Sequence, residues 1–330
     1  MIRLVLADIF QFLRRWMPYV LLLIMLSYLI NSTHTTCYIL QSIYDDYPDL
    51  TYSDYAAALE NADPDSSYVT IPYSGEITDP WLQSEGDNGE ITIYKYAFDN
   101  LLLSHSVKYI FKDMFDVTGM IILLFIILAA SFIGTGYQCG TLRQTLARGT
   151  GRNSYFGSRC IMLVILALLF ILAAVIFSLA VKMVTTWMVT GGVTWNFISM
   201  DTVGYLLYST ALIILILMTY AAFTALFSTL LKSSIAGMIA GVLYLQVEIY
   251  TLRTFVNNSL AANPPEWVTY TIGYNANYLL AHISPDSLFG TYLNQNLTNT
   301  TQSVLVLAGY CIVFILISYF IFRKQELNRE

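Results

Sequence analysis

Residues 140–159 read GTLRQTLARGTGRNSYFGSR and connect two long apolar runs of the chain. The flanking runs, 117–137 and 160–181, each contain the roughly 20 residues that a helix needs to cross a bilayer. The charged residues of the connection are all arginines, namely Arg143, Arg148, Arg152 and Arg159. Loops rich in Lys and Arg stay on the cytoplasmic side of a membrane. The stretch therefore predicts a cytoplasmic loop, and it sets the side on which every other segment lies.

The composition indicates an integral membrane protein. Hydrophobic residues make up 56% of the 330 positions, charged residues make up 12%, and the mean hydropathy is +0.59. Soluble domains carry about 25% charged residues. The four cysteines are scattered, without the spacing of a disulfide framework or a zinc site.

Six apolar runs predict six transmembrane helices, at residues 17–30, 117–137, 160–181, 203–231, 235–250 and 303–322. The preceding residues, 1–16, have one apolar and one polar helical face and predict an amphipathic helix lying in the membrane interface. A cleaved signal peptide is the alternative, but no small-residue cleavage pattern follows the first apolar run. Pro18 would kink the chain between the interfacial helix and the first span.

The distribution of charge tests this topology. With six spans both termini lie in the cytoplasm, including the tail 323–330. The predicted inner segments hold 11 of the 16 basic residues, which are Arg3, Arg14, Arg15, Arg143, Arg148, Arg152, Arg159, Lys232, Arg323, Lys324 and Arg329. Their acidic residues are Asp8, Glu326 and Glu330, three of the 22 in the chain. The inverted topology would break the positive-inside rule at every loop.

The segment 31–116 has a different composition, with 15 of the 22 acidic residues, three lysines and no arginine. Alternating residues at 68–71 and 91–94 predict strands, and 54–62 predicts a short helix. We expect a small α+β domain outside the cell. The alternative is a disordered acidic loop, but the tyrosines and the aliphatic alternation favour a packed core.

The segment 251–302 is rich in Asn, Pro and aromatic residues, and its prolines exclude one continuous helix. We expect an extracellular broken or re-entrant segment of short helices, which dips into the outer leaflet and forms an external gate. Aromatic rings such as Trp267 and Tyr270 suit headgroup depth. Glu248 and Arg253 lie beside it. Glu248 is interpreted as a carboxylate that reaches outer water, paired with Arg253; the alternative is a functional intramembrane acid.

The sequence predicts no catalytic residue, cofactor site or metal site. It contains no phosphate-binding loop and no G-x-S-x-G motif, and its three histidines are isolated from one another. If the protein moves a substrate uphill, another chain supplies the energy.

The loop resembles the first cytoplasmic loop of ABC transporter permeases of the type-2 exporter class. The resemblance rests on a Gly-Thr-Leu-Arg start at 140–143, the Gly149 and Gly151-Arg152 turns, the Tyr155-Phe156 pair and Arg159. It extends to the interfacial helix, the six spans and the broken segment before the last span. The acidic domain between the first two spans is similar to that of permeases handling antimicrobial peptides or bacteriocins.

The resemblance implies a coupling helix within residues 138–159 that docks in a groove of a cytoplasmic ATPase. Leu142, Leu146 and Gly149 would share one face and present an apolar knob between arginines. The residues expected to dock are Thr141, Leu142, Arg143, Leu146, Arg148, Arg152, Tyr155 and Phe156. The alternative is a solvated basic loop, which explains the arginines but not the aromatic pair.

The resemblance further implies a permease subunit in the bacterial cytoplasmic membrane, paired with a second copy or a paralogue. Two separate ATPase subunits would bind ATP and Mg²⁺, and the cargo would be a peptide, a lipid or a hydrophobic drug. A membrane-anchored binding or sensor protein, acting through the acidic domain, is the alternative function. An ion-coupled carrier is a third, and it rests on Glu248 alone.

Overall fold

The computed structural model describes residues 2–61, 68–75, 90–94, 118–138, 141–190, 200–257, 266–283 and 298–325. These residues form ten α-helices, a short 3-10 helix and two strands. In chain order the elements are α1 (Ile2–Leu13), α2 (Met17–Asp46), α3 (Tyr52–Asn61), β1 (Tyr68–Pro72), β2 (Glu90–Tyr94), α4 (Thr118–Gln138), α5 (Thr141–Ala147), α6 (Arg152–Thr190), α7 (Met200–Leu230), α8 (Ser234–Asn257), the 3-10 helix (Glu266–Tyr270), α9 (Ile272–Ile283) and α10 (Thr300–Lys324).

The protein is an α-helical, multi-pass membrane protein. Within the described ranges, five helices are long and apolar enough to cross a bilayer, namely α4, α6, α7, α8 and α10. A sixth span is possible from the pair Leu4–Phe12 and Met17–Asn31, which passes the same test when taken together and is bent by 60°. The bend falls beside Pro18, where the sequence predicts a kink.

Several helices extend beyond the apolar runs that predict them. The helix α2 continues past residue 30 to Asp46, α6 occupies Arg152–Thr190, and α8 continues past residue 250 to Asn257. At 1.5 Å per residue, the 39 residues of α6 span about 58 Å, roughly twice the thickness of the hydrocarbon core. A hydropathy boundary marks where lipid contact ends. The backbone hydrogen bonds of a helix can continue into water beyond that boundary.

The chain divides into two compact units. The first contains Met1–Met25, Phe115–Ala174 and Gly204–Glu330. Inside it α4 and α8 make close contact at two glycines. A Cβ atom on Gly134 would collide with the backbone of Ser234, and one on Gly241 would lie 2.6 Å from Cγ2 of Ile126. The absence of these side chains lets the two helix backbones approach closely, as is common in membrane bundles.

The second unit contains Leu26–Met114 and Val175–Val203 and includes the small α+β fold. Strands β1 and β2 are antiparallel, with Tyr68 opposite Tyr94 and Pro72 opposite Glu90. One face of this hairpin packs with α3 and the end of α2. Its core consists of Tyr47, Leu50, Tyr55, Val69, Ile71, Tyr73, Ile91 and Ile93. The predictions of strands at 68–71 and 91–94 and of a helix at 54–62 are confirmed.

One half of a capping box lies at the start of α3. The Asp54 carboxylate accepts hydrogen bonds from the Thr51 hydroxyl at 2.6 Å and from the Thr51 backbone N–H at 2.9 Å. Thr51 precedes the first helical residue, and Asp54 lies in the first turn. A negative charge in the first turn is stabilised by the positive end of the helix dipole. These hydrogen bonds, from the hydroxyl first and then the backbone, lower the pKa of Asp54 below its ordinary value of 3.8.

Candidate functional site

The basic stretch that connects α4 and α6 contains a separate short helix. Helix α5 occupies Thr141–Ala147, and Arg148 and Gly149 form the turn that follows it. The Gly149 N–H donates to the Leu146 carbonyl at 3.1 Å, and its φ angle is +87°. Glycine adopts this left-handed conformation without the steric cost that a side chain would add, which makes it a common end to a helix. A short helix in the stretch is therefore confirmed.

Helix α5 is anchored to the spans of its own chain by an aromatic cluster, which we define as Tyr137, Leu142, Leu146, Tyr155, Phe156 and Phe322. Leu142 is 2% exposed and Tyr155 is 7% exposed. The ring of Tyr155 stacks on that of Phe322 with centroids 5.8 Å apart, and Phe156 lies 5.7 Å from the same ring. The cluster joins α4, α5 and α6 to the C-terminal end of α10.

The prediction that Leu142 presents an apolar knob to a partner is wrong. The three positions Leu142, Leu146 and Gly149 do follow helical spacing, but Leu142 packs inward and Leu146 is half-buried within the cluster. The helical spacing of these residues correctly identified the apolar face of α5. That face packs against the aromatic cluster of the same chain rather than against a partner. Tyr155 is likewise buried, and Phe156 is half-buried. The paired aromatics therefore explain how α5 is held, rather than what binds to it.

The outward surface of the loop is small and polar. Gln144, Ala147 and Arg148 are exposed, as is Arg152 at the start of α6. The guanidinium of Arg152 donates to the carbonyl of Arg323 at 2.7 Å and to that of Gln325 at 3.1 Å. These two carbonyls lie at the C-terminal end of α10, so Arg152 ties that end to α6. The side chains of Thr141 and Arg143 lie outside the described part of the structure.

A second cluster surrounds Glu248, near the end of α8 remote from α5. The Tyr220 hydroxyl, on α7, donates to Oε2 of Glu248 at 2.7 Å, and the Gly273 N–H, on α9, donates to Oε1 at 2.7 Å. Tyr244, one turn earlier on α8, interacts with the same carboxylate. The Glu248 cluster (Tyr220, Tyr244, Glu248 and Gly273) thus connects three helices through one side chain.

Glycine at position 273 allows Glu248 to approach the backbone of α9 closely. A Cβ atom there would lie 2.8 Å from Cδ and 2.9 Å from Oε2 of Glu248, closer than unbonded atoms can approach. The N–H that Gly273 presents belongs to the first turn of α9, where backbone donors lack helical partners and attract negative charge. Glu248 is 9% exposed. The prediction that its carboxylate reaches outer water is therefore wrong.

Two other residues predicted at the outer gate lie at exposed positions. Trp267 is 58% exposed and Tyr270 is 56% exposed. Val268 and Thr269, which lie between them in the sequence, are buried. The side chain of Arg253 lies outside the described residues. The 3-10 helix and α9 confirm that 251–302 includes short helices. Whether they dip into the membrane stays a prediction.

The turn between these two short helices satisfies its own backbone. The Asn275 side-chain amide donates to the carbonyls of Thr269 at 2.8 Å and of Thr271 at 2.7 Å. The Thr271 hydroxyl in turn accepts from the Tyr274 N–H at 3.3 Å. Non-helical backbone at membrane depth requires such internal partners, because lipid offers no hydrogen bonds. These bonds pair part of the turn's backbone, whereas Oδ1 of Asn275 and the Tyr274 hydroxyl are buried without a partner in the described part of the chain.

Within the described ranges, no three His, Cys, Asp or Glu side chains lie close enough together to bind a metal ion. Sequence reasoning singled out Glu248 but missed Tyr220, Tyr244 and Gly273. A lone acid in an apolar span was the available signal, since such a group needs polar partners.

Comparison with known proteins identifies a family. The model of the family described as "Protein of unknown function (DUF2705)" matches residues 94–328. No curated protein and no solved structure matches the chain.

Proposed function

The chain belongs to the DUF2705 family, and we propose that it is the membrane-spanning permease subunit of an ATP-driven ABC exporter. In this proposal two separate cytoplasmic ATPase subunits bind ATP and Mg²⁺ and supply the energy. A second permease copy or a paralogue completes the translocation path. The protein lies in a bacterial cytoplasmic membrane with both termini inside, and its cargo is a peptide, a lipid or a hydrophobic drug.

The observation that carries the proposal is the anchoring of α5. A loop whose only role was to obey the positive-inside rule would need arginines, but not a separate helix fixed to three spans. The aromatic cluster makes α5 a rigid projection of α4, α6 and α10. A displacement of α5 by a partner would therefore move the ends of those spans. A coupling helix requires this property.

The structure changes which residues of the loop we assign to docking. Leu142, Tyr155 and Phe156 hold α5 in place, and Arg152 caps α10. The surface left for an ATPase is the exposed side of α5 and its following turn, at Gln144, Ala147 and Arg148. An acidic rim on the ATPase would complement Arg148.

The test is the amount of ATPase retained per permease when the tagged chain is purified, with the ATPase identified by its sequence. Ala147→Trp adds a bulky side chain to the exposed face and should reduce retention at least fivefold, equivalent to about 1 kcal/mol. Arg148→Gln should reduce it less, because an exposed charge pair is worth under about 1 kcal/mol. Lys232→Gln is the matched control, since Lys232 is exposed in the turn between α7 and α8.

Leu142→Ala separates anchoring from docking. Truncating a buried leucine costs about 2–5 kcal/mol, so this variant should lower both the melting temperature and ATPase retention. Ala147→Trp should lower retention alone. Full retention and unchanged transport in Ala147→Trp would contradict the docking role of this face.

The alternative function, a membrane-anchored binding or sensor protein, draws on the packed core of the α+β fold around Tyr55 and Val69. It predicts no ATPase in the purified complex. An external ligand that binds the chain in the absence of any ATPase would favour it.

A further inference from the structure

A groove opens between α4, α6, α7 and α10 within the first unit. It is partly open at its mouth, and water-sized spheres can occupy only about 40 Å³ inside it, so it is a narrow cleft. Its walls are mainly apolar, with side chains that include Ile133, Leu163, Met218, Ala222, Ile315 and Phe322. The shape and lining suit a hydrocarbon chain.

One end of the groove carries the guanidinium of Arg159, whose side chain is 14% exposed. The group lies over the rings of Phe132 and Tyr155, at 4.5 Å and 5.0 Å from their centroids. Its Nη1 approaches the Phe132 carbonyl at 3.5 Å, and its Nη2 approaches Oδ1 of Asp8 at 3.5 Å. Strong charge-assisted hydrogen bonds are 2.7–2.9 Å long. The buried Nε has no hydrogen-bond partner within the described part of the chain.

Beyond Arg159 lies a shallow polar recess between α1, α4 and α6. It is lined by Asp8, Gln11, Phe12, Arg15, Phe132, Thr135, Gly136 and Arg159. Arg15 donates from Nη1 to the Thr135 hydroxyl at 3.0 Å. Two guanidiniums thus face one carboxylate, which leaves a net charge of about +1 in the lining. Partly buried charge without a counterion is costly, so this recess favours an anion.

We propose that the groove and the recess together bind one anionic phospholipid, with an acyl chain in the groove and the phosphodiester at the mouth of the recess, beside Arg15 and Arg159. A phosphodiester carries one negative charge, which balances the lining. Arg159 lines both spaces, so a ligand with an apolar chain joined to an anion can satisfy both at once. A phospholipid also fits the location, because Arg159 lies close to the end of a span, where lipid headgroups lie. The proposal does not depend on the ATPase or on transport.

Cys160, which is half-buried and lines the groove, provides a local probe. In a variant whose other cysteines are serine, the rate of alkylation of Cys160 by N-ethylmaleimide is measured in detergent. Lysophosphatidylglycerol, lysophosphatidylcholine and inorganic phosphate are added in turn. The first two share a chain and a phosphate, but only the first has a net charge. We expect lysophosphatidylglycerol to protect Cys160 at about tenfold lower concentration than lysophosphatidylcholine, and phosphate alone to give no protection.

Three variants test the residues. Arg159→Gln should remove the preference between the two lipids, and Arg159→Lys should retain part of it. Ala222→Phe should fill the groove and abolish protection by both lipids. Arg148→Gln is the control for loss of a basic residue outside the groove.

Equal protection of the wild-type protein by the two lipids would overturn the proposal, as would protection by inorganic phosphate alone. The wild-type comparison tests the proposal even if a variant fails to fold. An unchanged lipid preference in a folded Arg159→Gln protein would also overturn it.

Discussion

Replacing Glu248 by alanine removes the carboxylate that joins α7, α8 and α9. The substitution leaves the Tyr220 hydroxyl and the Gly273 N–H without their partner, in positions that water does not reach freely. The first element to respond should be the start of α9, because Gly273 lies in its first turn and the bond to Glu248 holds that turn against α8, whereas the rest of α9 packs along α10. Spans α7 and α8 have extensive apolar contacts of their own.

The size of the effect follows from the two bonds of 2.7 Å. A hydrogen bond to a charged group contributes about 1.5–3 kcal/mol, and a buried donor left unpaired costs about 1–3 kcal/mol. Allowing for relaxation, Glu248→Ala should destabilise the attachment of α9 by about 3 kcal/mol. Glu248→Gln keeps the shape and one acceptor oxygen, so its cost should be about 1–2 kcal/mol.

Hydrogen–deuterium exchange of the purified protein measures this attachment directly. A loss of 3 kcal/mol should accelerate exchange of the α9 amides by about 100-fold. The exchange rate should increase from wild type to Glu248→Gln to Glu248→Ala. Gln246→Ala is the matched control, an exposed position on the same helix. It should leave α9 unchanged.

A double-mutant cycle tests the contact itself. Gly273→Ala places a methyl group 2.8 Å from Cδ of Glu248 and should cost about 1–3 kcal/mol through overpacking. In the Glu248→Ala background much of that cost should disappear, because Cδ and Oε2 are gone and only Cβ, at 3.0 Å, remains close. Equal costs in both backgrounds, or Glu248→Ala exchange matching that of Gln246→Ala, would refute the reasoning.

Two further predictions concern the start of α3 and the side of the membrane on which β2 and α5 lie. The pKa of Asp54 is lowered by Thr51, so its contribution to stability is present above the unfolded value of about 3.8 and is lost as pH falls through the lower folded value. Asp54→Asn should therefore speed hydrogen exchange of α3 at pH 6, and its difference from wild type should shrink towards pH 2; a constant difference would contradict the capping role. The second prediction uses a cysteine-free background, in which Thr92→Cys on the exposed face of β2 should react with a membrane-impermeant maleimide in intact cells. Gln144→Cys on α5 should react only after lysis. The reverse pattern would overturn the predicted topology.

The sequence predicted the membrane class and the approximate position of each long helix, because apolar runs of about 20 residues have few other uses. It also predicted the two strands. Helix ends were less accurate. The polar residues from Asn31 to Asp46 end the apolar run of α2, but nothing in them interrupts its backbone hydrogen bonds.

The candidate sites were predictable only in part. Helical spacing showed that Leu142 and Leu146 share a face, but not that Phe322, far along the chain, covers it. Glu248 was identified as an isolated acid. Its partner Gly273 could not be, because a backbone N–H has no residue-specific signal in sequence. Long-range partners depend on how the helices are arranged in space, and local patterns such as helical spacing do not show that arrangement.

The glycine contacts between α4 and α8 also bear on how the protein could move. Because Gly134 meets the backbone of Ser234 and Gly241 meets Ile126, sliding one helix along the other would drive side chains into these gaps. The two helices should therefore translate and rotate as one rigid body. Any opening of a path through the bundle must then separate other helices from this pair. Since Glu248 extends from α8 to α9 while α9 also packs along α10, moving α10 away from the pair would strain the bond between this carboxylate and Gly273.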